Sequence, residues 1–267
     1  MDIERPSGLE EALEALAARP EATLLAGGTD LMVEVNYHSR RPSHVIALRR
    51  VEELQEWNGR RLGAGVTFRR IENGPIRALA QLARTVGSPQ IRAAGTIGGN
   101  LGTASPAGDS HPFLAACDAH IELHSQRGTR TVRWDDFLVG VKRNSCEDDE
   151  LIAAVILPEE LPGRQEFAKI GVRSAMVIAT VSACVVIDDA GDARVALGAV
   201  GPTVLRARRA EEMINSQSIK SETALAEFGR LVSEEVKPIT DHRSTEEYRR
   251  HAAGVLARRL LERCLAA

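Results

Sequence analysis

The sequence predicts an α+β protein, and three features of its 267 residues carry that prediction. Up to Leu157, short apolar strands alternate with amphipathic helices. From Gln165 to Val200 three strand-like runs follow one another, and from Val204 onward only helical periodicity remains. Two glycine-dense segments interrupt the first part at points where strand gives way to helix.

Leu9 to Ala18 (LEEALEALAA) has apolar residues at helical spacing. Thr23-Leu24-Leu25 reads as a short buried strand running into Gly27-Gly28, with a helix from Asp30 to Tyr37. His44 to Leu48 is a second strand, and turns at Pro42-Ser43 and Asn58-Gly59 bound this small α/β unit. A second unit begins near Arg61 with a strand over Leu62 to Val66 and helices over Phe68 to Asn73 and Ile76 to Val86. A glycine-rich loop, Gly95 to Gly102, precedes a helix over Ser110 to Asp118. His120 to Ser125 and Thr129 to Arg133 alternate like paired strands across Gln126-Arg127-Gly128, and Glu150 to Leu157 is a further strand ended by Pro158. Leu161-Pro162-Gly163 marks a boundary. It divides the chain into residues 1–162, with lobes of about 1–58 and 59–162, and residues 163–267. Beyond it, strands are expected over Gln165 to Val172, Ile178 to Asp188 and Ala193 to Val200, the last two a hairpin through Asp188 to Asp192. Helices follow over Val204 to Ile214, Ser221 to Glu235 and Thr245 to Leu265.

Composition narrows the function. The chain is 43% hydrophobic and 27% charged, with 34 basic against 37 acidic residues, which argues against a nucleic-acid or membrane-surface binder. Aromatics are 3%, so the core must be aliphatic. No stretch is apolar enough to span a bilayer and the N-terminus carries no signal-peptide pattern, so a cytoplasmic protein is expected. Cys117, Cys146, Cys184 and Cys264 form no C-x-x-C pair, which argues against zinc or iron–sulfur ligation on this chain. His120 and His124 share a strand face without a carboxylate or cysteine at ligand spacing, and read as surface residues. His111 follows the second glycine segment, but nothing in the sequence fixes a partner for it. No nucleophile–base arrangement stands out, so no catalytic residue is assigned.

The glycine segments carry the chemistry. In Leu25-Ala26-Gly27-Gly28-Thr29-Asp30-Leu31 a strand ends in two glycines before a helix start. Such a turn exposes successive N–H groups beside the positive end of a helix, an arrangement that suits a phosphate. The second segment, Gly95 to Asp109, is dense in small residues and hydroxyls, with Asn100 able to donate and accept and Asp109 able to hold sugar hydroxyls. Neither is a G-x-G-x-x-G fingerprint, and no P-loop occurs.

Ala26 to Leu31, Gly87-Ser88-Pro89-Gln90-Ile91-Arg92 and Thr96-Ile97-Gly98-Gly99-Asn100 occur in that order, followed by Ser105 to Asp109. Lys169 to Met176, Ala196 to Pro202, and Asp241 to Ser244 with Tyr248-Arg249-Arg250 complete the series. Together they resemble the FAD-binding subunit of the molybdenum hydroxylases. That family includes the medium subunit of aerobic carbon monoxide dehydrogenase and the flavin subunits of bacterial xanthine, nicotine and quinoline-type dehydrogenases. The resemblance implies a two-lobed FAD-binding domain of the vanillyl-alcohol-oxidase (PCMH) type. A C-terminal α+β domain with a three-stranded antiparallel sheet and helices would follow.

By that resemblance, Leu25, Ala26, Gly27, Gly28, Thr29, Asp30 and Leu31 hold the FAD diphosphate from one side, and Thr96, Ile97, Gly98, Gly99 and Asn100 from the other. Thr103, Ser105 and Asp109 match positions near the ribose, ribityl and adenine parts, Ile152 one near the adenine end, and Lys169 a basic residue reaching the flavin ring. A cation at the flavin N1–C2=O edge would favour the anionic reduced form. Two departures stand out. Val86 occupies the place of an aromatic residue that contacts adenine in some relatives. Gly28-Thr29 stands where relatives of the wider fold carry a histidine bonded to FAD, so non-covalent FAD is expected.

The implied function is electron transfer. Substrate would react at a molybdopterin centre on a large partner subunit, and electrons would cross 2Fe-2S clusters on a small partner to FAD here. They would then pass to NAD, oxygen or a quinone-like acceptor. The assembly would be a heterotrimer or a dimer of heterotrimers. The alternative is a freestanding FAD-dependent oxidoreductase of the same fold, acting directly on an organic substrate.

Overall fold

The first apolar runs close into a parallel sheet. In the computed structural model, which describes residues 1–217 and 221–267, Asp2–Glu4 (β1), Thr23–Leu25 (β2) and His44–Ala47 (β3) pair in the order β1-β3-β2. Parallel neighbours need crossovers, which run through α1 (Leu9–Ala18) and α2 (Leu31–Asn36). Strand β1 was not expected, because its three residues are too few for a periodicity to show. Ala12 and Leu16 of α1 pack with Ile46, Leu48, Val51 and Leu54, and the same cluster reaches Ala64, Leu151 and Ala153. The two lobes therefore share an apolar seam.

The second lobe is built on an antiparallel sheet of Trp57–Asn58 (β4), Arg61–Gly63 (β5), His120–Ser125 (β6), Gly128–Arg133 (β7) and, after a separate hairpin of Leu138–Gly140 (β8) and Arg143–Asn144 (β9), Leu151–Ile156 (β10). The strand order is β4-β5-β10-β6-β7. On β6 the buried residues Ile121, Leu123 and Ser125 alternate with less buried ones, as the period of two requires. Five helices lie between β5 and β6: α3 (Phe68–Glu72), α4 (Arg77–Thr85), α5 (Pro89–Ala94), α6 (Ile97–Thr103) and α7 (Ser110–Ala116). A single turn, α8 (Trp134–Phe137), follows β7.

Two expectations change here. The strand expected over Leu62 to Val66 ends at Gly63, because the chain then leaves the sheet to form a shelf for α6. Ala64 O and Val66 O accept from the N–H groups of Gly98 (2.8 Å) and Ile97 (3.0 Å). The glycine-rich loop is in fact a helix from Ile97 on. Thr96 caps it, its Oγ1 accepting from Gly99 N at 3.0 Å. Glycines weaken a helix by about 1 kcal/mol each. At Gly98 a side chain is excluded, since a Cβ there would lie 2.5 Å from Ala64 Cβ.

In the C-terminal part, Arg164–Ile170 (β11), Val181–Ile187 (β12), Ala193–Gly198 (β13) and Leu205–Arg206 (β14) form an antiparallel sheet in that order. The expected three strands are the long ones, and β14 adds a two-residue fourth. The helix expected from Val204 begins only at Arg208, because Leu205 and Arg206 pair with Leu197 and Ala196. Helices α9 (Arg208–Asn215), α10 (Glu222–Glu235) and α11 (Glu246–Ala266) cover one face. The all-buried β12 explains itself by alternation: Val181, Ala183, Val185 and Ile187 join the core beneath those helices, whereas Cys184 and Val186 join the core of the second lobe. Strand β11 docks on α4, where Gln81 accepts from Phe167 N (2.8 Å) and donates to Glu166 (2.9 Å). Among the described residues no helix is long and apolar enough to cross a membrane.

Candidate functional site

A cleft of about 1310 Å³ runs between the lobes and under the segment Met176 to Ile178. Strand β2 delivers the first glycine turn to it, and α6 delivers the second. These turns meet. A Cβ on Gly99 would stand 3.6 Å from Ala26 Cβ, and one on Gly27 would fall 1.9 Å from Ala94 O, at the end of α5. Gly28 has φ +70, a conformation that favours glycine. Of the sequence-expected residues, Leu25 to Leu31, Thr96, Gly98, Gly99, Asn100, Thr103, Ser105, Asp109 and Ile152 all line the cleft.

Two do not. Ile97 is fully buried in the core of the second lobe, with its side chain turned away from the cleft. Lys169 lies behind the wall. Its Nζ donates to Asp109 Oδ2 (2.6 Å), Thr85 O (2.8 Å) and Val177 O (3.1 Å). The cation expected at the flavin ring is thus spent on a buried carboxylate. Burial pushes Asp109 up to about 6 against the opposing pull of the Lys169 ammonium. Its Oδ1 is buried without a partner.

The donor set differs between the two glycine turns. The N–H groups of Gly27, Gly28 and Thr29 donate no hydrogen bond among the described residues. In the first turn of α6 the amides are committed: Ile97 and Gly98 to the Ala64–Val66 shelf, Gly99 to Thr96. An anion here therefore meets open amides on one wall only. The other wall offers the helix end and Asn100, whose Oδ1 is held by Ser110 Oγ at 2.6 Å, leaving its amide NH₂ as the donor. Two polar contacts tie the lobes along the cleft: Thr103 Oγ1 to Asp30 Oδ2 (3.2 Å) and Lys142 Nζ to Glu34 Oε1 (3.1 Å).

His111 is fully buried beside this wall, its ring tilted 47° against Trp134 at 5.6 Å. Burial holds its pKa down to about 4. It is neutral and sealed, and no proton donor to the cleft. No histidine is among the cleft-lining residues. Sequence reasoning missed Ser88, Ile91, Arg40, Lys142 and the strip Met176 to Ile178 on the wall. Ser88, Ile91 and Met176 lie within the motifs that carried the resemblance; Arg40 and Lys142 give no signal.

This donor set fits a dinucleotide: a long cleft, open amides for a diphosphate, and hydroxyl, amide and carboxylate groups for sugar and ring. The family description "FAD binding domain in molybdopterin dehydrogenase" matches residues 1–160, and "CO dehydrogenase flavoprotein C-terminal domain" matches residues 166–264. The chain is 37% identical to the nicotinate dehydrogenase FAD-subunit of Eubacterium barkeri, over 82% of this chain and 80% of that one. It is 30% identical to the xanthine dehydrogenase FAD-binding subunit of Escherichia coli O157:H7, over 98% and 95%. Among solved structures, carbon monoxide dehydrogenase from Hydrogenophaga pseudoflava superposes with a TM-score of 0.91 at 27% identity, covering 100% of this chain and 97% of that one. The chain belongs to the FAD-binding subunits of the molybdopterin dehydrogenases, the molybdenum hydroxylase family.

Proposed function

We propose that this chain binds FAD non-covalently in the cleft between its lobes and serves as the electron-exit subunit of a molybdenum hydroxylase. A large molybdopterin subunit would oxidise the substrate and a small 2Fe-2S subunit would relay the electrons. The convergence of the two glycine turns carries this reading. Gly27, Gly28 and Thr29 hold the diphosphate by their amides, and Thr96 and Asn100 close on it from α6. Thr103, Ser105 and Asp109 orient the sugar and ribityl hydroxyls, and Ile152 with Val86 gives apolar contact. Bound FAD supplies a centre that takes electrons singly or in pairs and passes them to an external acceptor. Lys169 acts through Asp109, keeping a carboxylate at the wall, and does not touch the ring. Gly28-Thr29, standing where the wider fold carries its FAD-bonding histidine, supports a non-covalent cofactor.

The test is a visible spectrum of the purified chain before and after protein precipitation. A flavin spectrum that leaves with the supernatant is expected. A chain that shows no flavin, and takes none up when FAD is supplied, refutes the proposal.

A further inference from the structure

We propose that Arg92 is a positioning residue for the cofactor, acting through the Val86-Gly87-Ser88 turn that it holds. This rests on FAD occupying the cleft. Val86, Gly87, Ser88 and Ile91 all line the cleft, on the wall that α5 contributes. Little in α5 itself secures that wall, because none of its residues is buried. The turn carries Gly87 at φ +46, where a Cβ would also fall 2.6 Å from Ile91 Cγ2. Besides the Ser88 cap and the packing of Val86 on the core, one guanidinium secures its carbonyls. Arg92 Nη1 donates to both Val86 O (3.2 Å) and Gly87 O (3.3 Å). Its Nε lies 2.5 Å from Glu72 Oε2 on α3, and the two side chains are only 15% and 9% exposed.

The clamp reaches both walls. At its other end, α5 abuts the first glycine turn, where Ala94 O stands against Gly27. A shift of α5 therefore moves the Val86–Ser88 wall and the open amides of Gly27 and Gly28 together. The geometry also requires arginine. The guanidinium donates to two carbonyls from Nη1 while its Nε stands in an ion pair with Glu72, whereas a lysine ammonium, a single point charge, does not span the carboxylate and both carbonyls at once. Glu72 has a second partner, Arg69 Nη1 at 2.9 Å, so losing Arg92 does not strand a buried charge.

The experiment compares full-length wild type, R92M and R92K. Each is stripped of flavin and titrated with FAD by flavin fluorescence, and the melting temperature is recorded without FAD. Both variants should bind FAD at least about tenfold more weakly, with melting temperatures within about 4 °C of wild type. Wild-type affinity in R92M overturns the proposal. So does full recovery in R92K, which would reduce Arg92 to a counter-ion for Glu72. If R92M does not fold, R92K alone decides. A wild type that binds no FAD overturns the cofactor reading and this inference with it; a wild type that binds FAD beside unaffected variants overturns this inference alone.

Discussion

Acidifying the flavin-free chain should expose a cancellation between two buried neighbours, and His111→Asn should reveal it. His111 titrates at about 4 in the folded chain against 6.5 when free. The stability from burying it neutral is therefore complete above about pH 6.5 and lost as pH falls towards 4. The shift of 2.5 units (6.5 minus 4) corresponds to about 3 kcal/mol at 1.36 kcal/mol per unit. Asp109 has the opposite sign. Its folded value of about 6 lies above the free 3.8, so its contribution is complete below 3.8 and lost as pH rises through 6. That shift of 2.2 units is also about 3 kcal/mol. Over the window from about pH 6.5 to 4, wild type loses one contribution while it gains the other, and stays nearly level. His111→Asn removes the loss and leaves the gain. Urea denaturation of both proteins at intervals between about pH 7 and 4 measures it. The stability difference between them should change by about 3 kcal/mol in favour of the variant on acidification. A constant offset for packing is subtracted by the comparison, because it does not vary with pH. A difference that stays flat across the window refutes the assignment of His111 as a buried neutral ring.

Two further perturbations test the frame of the cleft. Gly27→Ala places a Cβ 1.9 Å from Ala94 O, and Gly98→Ala places one 2.5 Å from Ala64 Cβ. Overpacking of this kind costs roughly 1–3 kcal/mol or more, so both should lower the melting temperature and the flavin retained after purification. Lys169→Met leaves Asp109 buried without its counter-ion and should cost about 3–5 kcal/mol at neutral pH. In Lys169→Met/Asp109→Asn most of that loss should return, read by denaturant midpoints.

Much of the site was legible because its signals are local. A strand ending in two glycines fixes where β2 stops, and Gly27 and Gly28 carry the open amides for reasons visible in residue type alone. Thr96 followed by Gly98-Gly99 reads equally well as a loop or as a capped helix, and its small residues tilted the expectation towards a loop. The deciding contact, Ala64 O with Gly98 N at 2.8 Å, comes from residues more than thirty positions earlier. Ile97 was grouped with the glycines by adjacency, yet a helix sends neighbouring side chains to different faces, and its own enters the core. Lys169 illustrates a different limit. Sequence shows a cation but not the carboxylate that claims it, sixty residues away. β14 was hidden because a two-residue strand has no periodicity, and Arg92 because its partners are two backbone carbonyls and a carboxylate twenty residues earlier.

These contacts divide the labour around the cleft. On one side the lobes share an apolar seam of Leu16, Ile46, Ala64 and Leu151, which forms whether or not a cofactor is present. Along the cleft they are tied by Asp30–Thr103 and Glu34–Lys142, contacts between side chains that are largely open to water. Exposed polar ties are worth little, at most about 1 kcal/mol. The seam thus fixes the angle between the lobes, while the ties add little along the cleft. A dinucleotide with its diphosphate on Gly27 to Thr29, as proposed, and α6 as its far wall would add the strong contact between the lobes that these ties do not. Ligand bound only by the folded chain adds stability in proportion to the logarithm of its concentration over Kd. Variants that loosen the α5 wall should therefore weaken FAD binding without unfolding the chain.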